Sequence, residues 1–301
     1  MDQQTLILPK KDTLNFQFKN LLSTIDKNST SEVSPRGLDV KEQLMTNISI
    51  NPFYPCADFK SREFNYKYFA GELAWYLLRD LETDFISNFS SFWKRLKNPD
   101  GTINSNYGSI LFSKNEHVSG MAWVANSLRK DKYSRQAIAY IGGSRYQYEG
   151  NKDFVCTQYV LFYIRENKLN MKVQMRSNDI FYGLTYDAPW FSTVHQNLYL
   201  ELLETYPDLE LGTYHHFSDN THFYHHHFDL AKQILKEKDS NTGPKLVLKN
   251  PLWYGHADGR TYLSLEAEQY LKWFDLRNND FEDLSNEVFL EVLSIIYDIK
   301  I

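Results

Sequence analysis

One cysteine of this sequence stands in surroundings that suit covalent chemistry. Cys156 follows Asp153-Phe154-Val155 and precedes an apolar stretch that is typical of a β-strand. A thiol at the start of a strand acts as a nucleophile where a neighbouring cation or a helix end stabilises its thiolate form. A single cysteine is also commonly a small buried hydrophobic side chain. The residue type alone leaves both interpretations open.

Three further residues could bind an anion or move a proton. Arg176 and Ser177 follow a second apolar stretch and offer a forked cation and a hydroxyl, which suit an anion such as a phosphate monoester. The alternative is an exposed strand end with solvated charges. Glu72 interrupts an apolar helical pattern. It is either a buried acid satisfied by hydrogen bonds or a general acid/base whose pKa is tuned by its surroundings.

The histidines are unevenly distributed, with six of the nine between positions 215 and 227. Strand alternation would place these rings on two faces, and no cysteine or carboxylate lies at ligand spacing, so we expect no metal site. They are interpreted as surface or supporting groups. The sequence also lacks a glycine-rich phosphate cradle, a Walker lysine and a G-x-S-x-G elbow.

Composition excludes several classes of protein. The 301 residues are 42% hydrophobic, 24% charged and 16% aromatic, which indicates a globular protein. The net charge of −5, from 33 Lys and Arg against 38 Asp and Glu, argues against a sequence-independent grip on DNA or RNA. Two cysteines make a disulfide scaffold or a zinc ribbon unexpected. Without a membrane-length apolar run or a signal-peptide pattern, we expect a soluble cytoplasmic protein, in the host cytoplasm if the source is viral.

Hydrophobic periodicity predicts an α+β fold of one domain, residues 1–301. The expected sheet is mixed or mainly antiparallel, with helices packed against one face. Residues 159–164 and 169–175 predict a hairpin, and residues 62–81 a largely buried helix that carries Glu72. The polar first stretch, to about Asp39, is expected to form a loop. The other predicted elements are an amphipathic stretch over 89–96, helices over 120–129, 187–206, after His225, 264–276 and 286–296, and strands over 136–141 and 211–217.

In this order the segments resemble the thymidylate synthase superfamily, and they look most like its phage deoxycytidylate 5-hydroxymethyltransferases. The similarity covers residues 34–228. It implies a thymidylate synthase-like fold and a homodimer formed through the sheet. It also implies an N-terminal segment with a phosphate-binding loop over residues 1–39, and it leaves a C-terminal helical extension over 239–301 without a role.

The resemblance assigns roles to individual residues. Cys156 falls on the catalytic nucleophile, Glu72 on the catalytic glutamate and Tyr107 on the active-site tyrosine. The folate site is implied at Trp93, Asp179 and Gly183. The nucleotide site is implied at Arg36, Arg176, Ser177, His222, Tyr224 and, acting across the dimer interface, Arg135.

Two positions depart from the thymidylate synthase pattern. The family's pair of arginines that reach across the interface reads Arg135-Gln136 here, so one positive charge is missing. Thr157, directly after the nucleophile, stands where thymidylate synthases carry histidine, as in the hydroxymethyltransferases that the chain resembles.

The choice of base is predicted at Asp187, where thymidylate synthases place asparagine. An amide offers a donor and an acceptor, which match O4 and N3–H of uracil. A carboxylate only accepts, which suits the N4 amino group of cytosine and N3 once it is protonated. A mispaired polar edge costs roughly 1–3 kcal/mol, enough to shift base preference strongly. The alternative is that Asp187 only caps the following helix.

The implied reaction takes 5,10-methylenetetrahydrofolate as co-substrate and a pyrimidine nucleoside monophosphate, dCMP or CMP, as acceptor. The Cys156 thiolate would add to C6, C5 would take the one-carbon unit, and Glu72 with ordered water would move protons. Water or hydride would complete a hydroxymethyl or a methyl product. No metal, membrane or nucleic-acid polymer is expected as a partner.

Other functions stay open. A thymidylate synthase that accepts Asp187, or a dCMP C5-methyltransferase, would differ in how its cavity admits water. A catalytically silent nucleotide- or RNA-binding protein belongs to another class. The joint presence of Cys156, Glu72 and Asp187 argues against it, because a binder needs no nucleophile. His222 and Tyr224 would address a 3′-hydroxyl, which ribose and deoxyribose both carry.

Overall fold

The computed structural model describes residues 10–29, 31–113, 117–237, 242–278 and 280–301. Groups of helices and groups of strands follow one another along these ranges. The α-helices are α1 (Leu14–Asn28), α2 (Tyr66–Leu78), α3 (Phe92–Leu96), α4 (Tyr107–Phe112), α5 (Gly120–Lys130), α6 (Thr185–Leu202), α7 (Phe228–Lys236), α8 (Leu265–Asp275) and α9 (Asn286–Leu293). The strands are β1 (Ser31–Val33), β2 (Val40–Ile50), β3 (Ile138–Tyr140), β4 (Thr157–Arg165), β5 (Lys168–Met175), β6 (Asn178–Asp179), β7 (Glu210–Tyr224), β8 (Lys245–Leu248), β9 (Trp253–Gly255), β10 (Thr261–Leu263) and β11 (Tyr297–Lys300).

The central sheet is mixed, as predicted. Its strands run in the order β1-β2-β7-β5-β4-β3, with β6 beside β7. Neighbours are antiparallel, except that β7 runs parallel to β5 and to β6. Parallel neighbours need a crossover connection, and α6 supplies it between β6 and β7 while packing against β5 and β7.

The predicted hairpin is confirmed as β4 and β5. The strands pair from Thr157 with Met175 to Arg165 with Lys168. Between them Glu166 and Asn167 turn the chain with φ of 50° and 59°. Positive φ at both turn residues matches the twist of the flanking strands, which explains why so short a connection works.

Alternation places one face of the sheet in the core. On β5, Leu169 and Met171 are buried, whereas Asn170 and Lys172 between and after them are partly exposed. His195 of α6 lies against this buried face, with its Nε2 2.8 Å from the Leu169 carbonyl oxygen. Each large apolar side chain buried here contributes about 1.5–3 kcal/mol, so the packing stabilises this face of the sheet against α6.

The prediction of a loop up to Asp39 is wrong for residues 14–28, which form α1. The hydroxyl of Thr13 caps this helix by accepting a hydrogen bond from the Phe16 amide at 3.4 Å. Apolar residues recur at helical spacing between polar ones. They form one buried face of the helix, made of Leu14, Phe18, Leu22 and Ile25. Residues 1–9 of the predicted segment lie outside the described residues.

The helix predicted over 62–81 is confirmed as α2, shorter at both ends. Asn65 caps its start by accepting from the Tyr68 amide at 2.9 Å, and Arg79 ends it in the left-handed region with φ of 59°. Of the amphipathic stretch over 89–96, only α3 is α-helical. Helix α4 begins at Tyr107, in a stretch to which the sequence assigned no element.

The C-terminal residues contain both predicted helices, α8 and α9, together with the short strands β8 to β11, so a helical extension describes them incompletely. Residues 238–241 lie outside the described part. Helices α8 and α9 pack behind α2. The Tyr270 hydroxyl donates to the Ala70 carbonyl at 2.8 Å, and the Lys67 amide donates to Asn286 Oδ1 at 3.0 Å. The helix that carries Glu72 is therefore held from behind by the C-terminal part of the chain.

Candidate active site

The candidate nucleophile and a candidate phosphate ligand come from the same end of the hairpin. Cys156 precedes β4 and is a partly buried thiol that forms no disulfide. Arg176 follows β5, and its amide donates to the Cys156 carbonyl at 2.9 Å. Its Nη2 lies 3.5 Å from the Cys156 sulfur. Because a guanidinium stays protonated, this contact stabilises negative charge on the sulfur.

Arg176 is itself held in place by backbone oxygens. Its Nε donates to the Val155 carbonyl at 3.1 Å, its Nη2 donates to the Phe154 carbonyl, and its guanidinium lies 4.7 Å from the centre of the Phe154 ring. Ser177, the next residue, is partly exposed. The fixed fork and the adjacent hydroxyl form a surface that suits a phosphate monoester.

The other two candidate phosphate ligands are less defined. Arg135 is exposed on the loop between α5 and β3. Arg36 lies in the short 3₁₀ turn Pro35–Gly37, and its side chain is outside the part of the chain that the structure describes. Among the described residues, Arg135 makes no contact with Arg176.

The candidate sugar-binding residues lie near the end of β7. His222 and Tyr224 are partly exposed, and their ring centres are 5.4 Å apart. Asn220 Oδ1 is 2.9 Å from His222 Nδ1, which orients the ring. Strand pairing sets His222 beside Asp179 of β6. The sheet thus brings a candidate nucleotide ligand next to a candidate folate ligand.

Glu72 occupies the middle of α2 and is only 5% exposed. Burial raises its pKa to about 8, and a hydrogen bond from the Tyr68 hydroxyl offsets part of the rise. That hydroxyl lies 2.7 Å from Glu72 Oε1 and accepts in turn from the indole N–H of Trp93 at 3.2 Å. Both protonation states of Glu72 are therefore accessible near neutral pH, as a general acid/base requires.

Tyr107 lies near both Asp187 and the Cys156 thiol. Its hydroxyl accepts a hydrogen bond from Thr157 Oγ1 at 2.9 Å, next to the nucleophile in sequence. Burial and the nearby charges of Asp187 and Cys156 raise the pKa of Tyr107 well above its ordinary value, so the phenol stays neutral. Asp187 also acts electrostatically on Glu72. These four candidate catalytic residues therefore lie in one neighbourhood.

Asp187 lies within the first turn of α6, whose N-cap residue is Leu184. The simple capping alternative is therefore not what the structure contains. Desolvation by its neighbours raises the pKa of Asp187 to about 7, and a hydrogen bond from Asn178 lowers it in part. Asn178 Nδ2 donates to Asp187 Oδ2 at 2.7 Å. A Cβ at Gly183 would lie 2.7 Å from this Nδ2, so glycine leaves room for the pair.

The candidate folate residues differ in what they offer. Asp179 Oδ1 accepts from the amides of Phe181 and Tyr182 at 2.6 and 2.7 Å and so begins a π-helical turn, Ile180–Leu184. Its Oδ2 is buried and has no hydrogen-bond partner among the described residues. This acceptor fits an N–H group of a bound pterin. Trp93, by contrast, is 7% exposed, and its indole packs 4.8 Å from Trp75, so little of its ring faces a ligand.

Three residues of this neighbourhood were not predicted. Asn178 lies inside the same Arg-Ser-Asn-Asp motif as the predicted ligands. Tyr68 lies four residues before Glu72, a spacing that brings helical side chains together. Arg62 donates to the Phe181 carbonyl at 2.8 Å. Burial raises the pKa of Asp179 to about 6, and the charge of Arg62 offsets part of that rise. No sequence signal marked Arg62, since it precedes α2 and meets Asp179 only through the fold.

Other features of the described residues lie outside this neighbourhood. A concavity of about 440 Å³ is bordered by Arg79, Phe112 and Arg260, and no candidate site residue lines it.

The histidines alternate in burial along β7, with His216 buried and His215 partly exposed, as predicted. No group of potential ligands suits a metal ion in the described ranges. Within them, no helix has the length and apolarity to cross a bilayer.

Residues 16–276 match the family model of thymidylate synthase. The chain belongs to the thymidylate synthase family. As a member it is a one-carbon transferase. The family match begins and ends beyond the stretch over 34–228 on which the sequence resemblance rests, and it takes in most of α1 and all of α8.

Phage enzymes are among the similar members of the thymidylate synthase family. The deoxycytidylate 5-hydroxymethyltransferase of Enterobacteria phage T4 is 29% identical over 60% of this chain and 76% of its own length. The enzyme of the same name from phage T6 is 31% identical over 59% of the chain and 74% of its own length. The deoxyuridylate hydroxymethyltransferase of Bacillus phage SP01 is 27% identical over 69% of the chain and 56% of its own length.

Proposed function

We propose that this protein is a pyrimidine nucleotide C5-hydroxymethyltransferase that converts dCMP, or CMP, to its 5-hydroxymethyl derivative. The net reaction consumes one 5,10-methylenetetrahydrofolate and one water and releases tetrahydrofolate. The observation that carries the proposal is Asp187, an ionisable acceptor held by Asn178 in the neighbourhood of Glu72, Tyr107 and the thiol. Relatives that hydroxymethylate deoxycytidylate support the same reaction.

Covalent activation of the base falls to Cys156. Its thiolate adds to C6 of the pyrimidine, which forms a C–S bond and turns C5 into an enamine-type carbon nucleophile. The guanidinium of Arg176, 3.5 Å from the sulfur, stabilises the thiolate before the addition. Breaking of the C6–S bond reforms the C5=C6 double bond of the product and returns the thiolate, so the enzyme is regenerated.

Proton movements fall to Glu72. The proton on C5 must leave after the new carbon–carbon bond has formed, and a carboxylate with ordered water can accept it. With its pKa near 8, Glu72 can take up and release a proton within the same cycle. Tyr68 and Trp93 orient it through their chain of hydrogen bonds. Loss of the C5 proton would release tetrahydrofolate from the new carbon and leave an exocyclic methylene group on C5, and addition of water to that group would give the hydroxymethyl product.

Base selection falls to Asp187. The ionised carboxylate accepts from the N4 amino group of cytosine and from N3 when it is protonated. Uracil presents the O4 oxygen at the same place, so its acceptor would face another acceptor. We therefore expect a preference for dCMP over dUMP.

Asp179 and Gly183, with the exposed edge of Trp93, would hold 5,10-methylenetetrahydrofolate. When bound, it supplies one carbon at the oxidation level of formaldehyde. The buried Asp179 Oδ2 would accept from an N–H of its ring system, an interaction that gives this oxygen the hydrogen bond it lacks among the described residues. No metal is needed for this chemistry.

The phosphate would be bound by Arg176 and Ser177 with Arg36, and by Arg135 across a twofold interface. The sheet face opposite α6 offers a surface for that dimer. Its partly exposed side chains include Tyr159 and Leu161 of β4, and Lys172 covers the ring of Phe217 at 4.4 Å. His222 and Tyr224 would contact the sugar hydroxyl. We place the activity in the cytoplasm, where nucleotide monophosphates and folates are available.

Product mass tests the proposal. Purified protein is incubated with 5,10-methylenetetrahydrofolate and dCMP, CMP or dUMP, and the nucleotides are weighed by mass spectrometry. We expect 5-hydroxymethyl-dCMP or 5-hydroxymethyl-CMP and no dihydrofolate absorbance at 340 nm. A methyl product with dihydrofolate would replace the proposal by a methyltransferase. Hydroxymethylated dUMP as the main product would move the protein to the activity for which the SP01 relative is named.

A catalytically silent binder is tested separately by tritium release from 5-³H-dCMP. Release depends on addition at C6 and loss of the C5 proton, which binding alone does not cause. Release that depends on Cys156 excludes the silent binder, and no release by the wild-type protein from the 5-³H forms of dCMP, CMP and dUMP alike favours it.

A further inference from the structure

The side-chain amide of Asn178 pairs its donor but, among the described residues, not its acceptor. It is 3% exposed on the short strand β6, and its Nδ2 donates to Asp187 Oδ2 at 2.7 Å. Its Oδ1 is buried without a hydrogen-bond partner among the described residues. A buried amide that leaves its own oxygen unpaired does not optimise its own hydrogen bonding. Its single bond to Asp187 is the contact that accounts for its placement.

The Asn178–Asp187 pair packs directly against a glycine backbone. Gly183 belongs to the π-helical turn between β6 and α6. A Cβ there would lie 2.7 Å from Asn178 Nδ2 and 3.2 Å from Asp187 Oδ2. Both distances are shorter than ordinary van der Waals contacts, so the pair fills the space against the glycine. Asp187 Oδ2 thereby accepts from Asn178 with one lone pair, which leaves its second lone pair and Oδ1 for a base.

The protonation state of Asp187 decides which bases it can pair with. A protonated carboxyl group offers one donor and one acceptor, the same set as an amide. It would therefore match O4 and N3–H of uracil, and it would also match cytosine. The ionised form offers only acceptors, so it makes no hydrogen bond with the O4 acceptor of uracil. Discrimination against uracil thus requires that Asp187 stay ionised, whereas burial favours its neutral form.

We propose that Asn178 is the positioning residue that sets base specificity, because its donated hydrogen bond holds Asp187 as an ionised acceptor facing the base. This inference rests on the proposed function and deepens it. Base preference then depends on pH. The preference for dCMP is present above the pKa of Asp187 and is lost as the pH falls through it, mainly because dUMP gains turnover.

Other groups around Asp187 do not give this signature. Burial raises the pKa of Tyr76, Tyr107 and Tyr214 well above their ordinary value, so these phenols stay neutral over the working range. Glu72 titrates near pH 8, but its proton transfers serve both bases and cancel in the ratio of the two specificity constants. The ratio therefore reports Asp187.

The experiment measures kcat/KM for dCMP and dUMP from pH 5.5 to 9 in the wild-type protein, in Asn178→Ala and in Asn250→Ala. Asn250 is the matched control, since it donates to Glu266 Oε1 at 3.1 Å on the exposed surface. In the wild type and in Asn250→Ala, the dCMP/dUMP ratio should rise with a midpoint near pH 7. In Asn178→Ala, the midpoint should move up by about one pH unit, because a hydrogen bond to the charged form is lost. An unchanged midpoint would overturn the inference.

A second variant tests the inference if Asn178→Ala does not fold. A second measurement tests it if the proposed function fails. Asn178→Asp keeps the side-chain shape and places a like charge beside Asp187, so its midpoint should also rise. The Asp187 carboxyl is titrated by ¹³C NMR in the ligand-free proteins and assigned by its absence in Asp187→Asn. If the wild type acts on neither nucleotide, the proposed function fails while this titration still decides the inference. Equal Asp187 midpoints in wild type and variants would refute it.

Discussion

The hydroxyl of Tyr68 lies 2.7 Å from Glu72 Oε1, one turn earlier on α2, and the indole of Trp93 donates to the same hydroxyl from α3. The bond favours the ionised carboxylate, and burial favours the neutral acid. Their balance leaves the pKa of Glu72 at about 8. A tyrosine without a predicted role thus adjusts the acid that is expected to move the protons.

Removing the Tyr68 hydroxyl should shift the pH dependence of catalysis. In Tyr68→Phe the ionised form of Glu72 loses a donor, so its pKa rises further, by about one unit. The limb of the pH profile that depends on Glu72 should move to higher pH, measured as tritium release from 5-³H-dCMP. Tyr262→Phe is the control, since Tyr262 of β10 donates to Asp258 Oδ2 at 2.8 Å on the exposed surface. A shift of equal size in both variants would contradict the assignment.

The two cysteines should respond oppositely to substitution. Cys156→Ala removes the proposed nucleophile and should lower tritium release by about 10³-fold or more. Cys56→Ala should retain the rate, because Cys56 is fully buried in the core and is not among the candidate site residues. Release from Cys156→Ala at the wild-type rate would exclude the covalent mechanism.

Asp187→Asn should reverse the choice of base. The amide presents a donor to O4 of uracil and leaves the cytosine edge mispaired, which costs about 1–3 kcal/mol. We expect the dCMP/dUMP ratio of kcat/KM to fall by about 10- to 100-fold and to lose its pH dependence. A ratio that stays at the wild-type value would show that another residue reads the base.

Gly71→Ala should destabilise the protein through α2. A Cβ at this position would lie 2.3 Å from the ring of Phe89, so the ring must move and the free energy of unfolding should fall by about 1–3 kcal/mol. Gly143→Ala is the control, because its φ of 163° suits any residue and nothing lies within 4 Å of the added atom. Urea denaturation of both variants measures the difference. Equal stability of the two variants would disprove the close packing at Gly71.

Local pattern predicted the elements whose burial follows one simple period. The β4–β5 hairpin, α2, α5 and α6 form where alternation or helical spacing indicated them. The pattern missed α1, because its buried face is interleaved with polar residues. It also missed β8 to β11, since strands of three or four residues carry too few positions to show a period.

The residues of the candidate site were predicted from their types and from the family resemblance. The contacts between their side chains were not predicted. The sequence pointed to Cys156, Glu72, Tyr107 and Asp187 separately. In the fold, Asp187 acts electrostatically on both Tyr107 and Glu72, and Cys156 acts on Tyr107. The Asn178–Asp187 pair joins two residues nine positions apart, with a π-helical turn between them. No propensity marks such a turn, so this contact was beyond sequence reasoning.

The turn at Glu166 and Asn167 lies at the far end of the hairpin from Cys156 and Arg176. Its length nevertheless fixes the register of the two strands, that is, which residues pair. Side chains on a strand change face with every residue, so a slip by one position would carry Arg176 away from the sulfur. Loops on protein surfaces usually accept insertions. This one is expected to accept none, and changes in its length should be rarer among functional variants than changes in its residues.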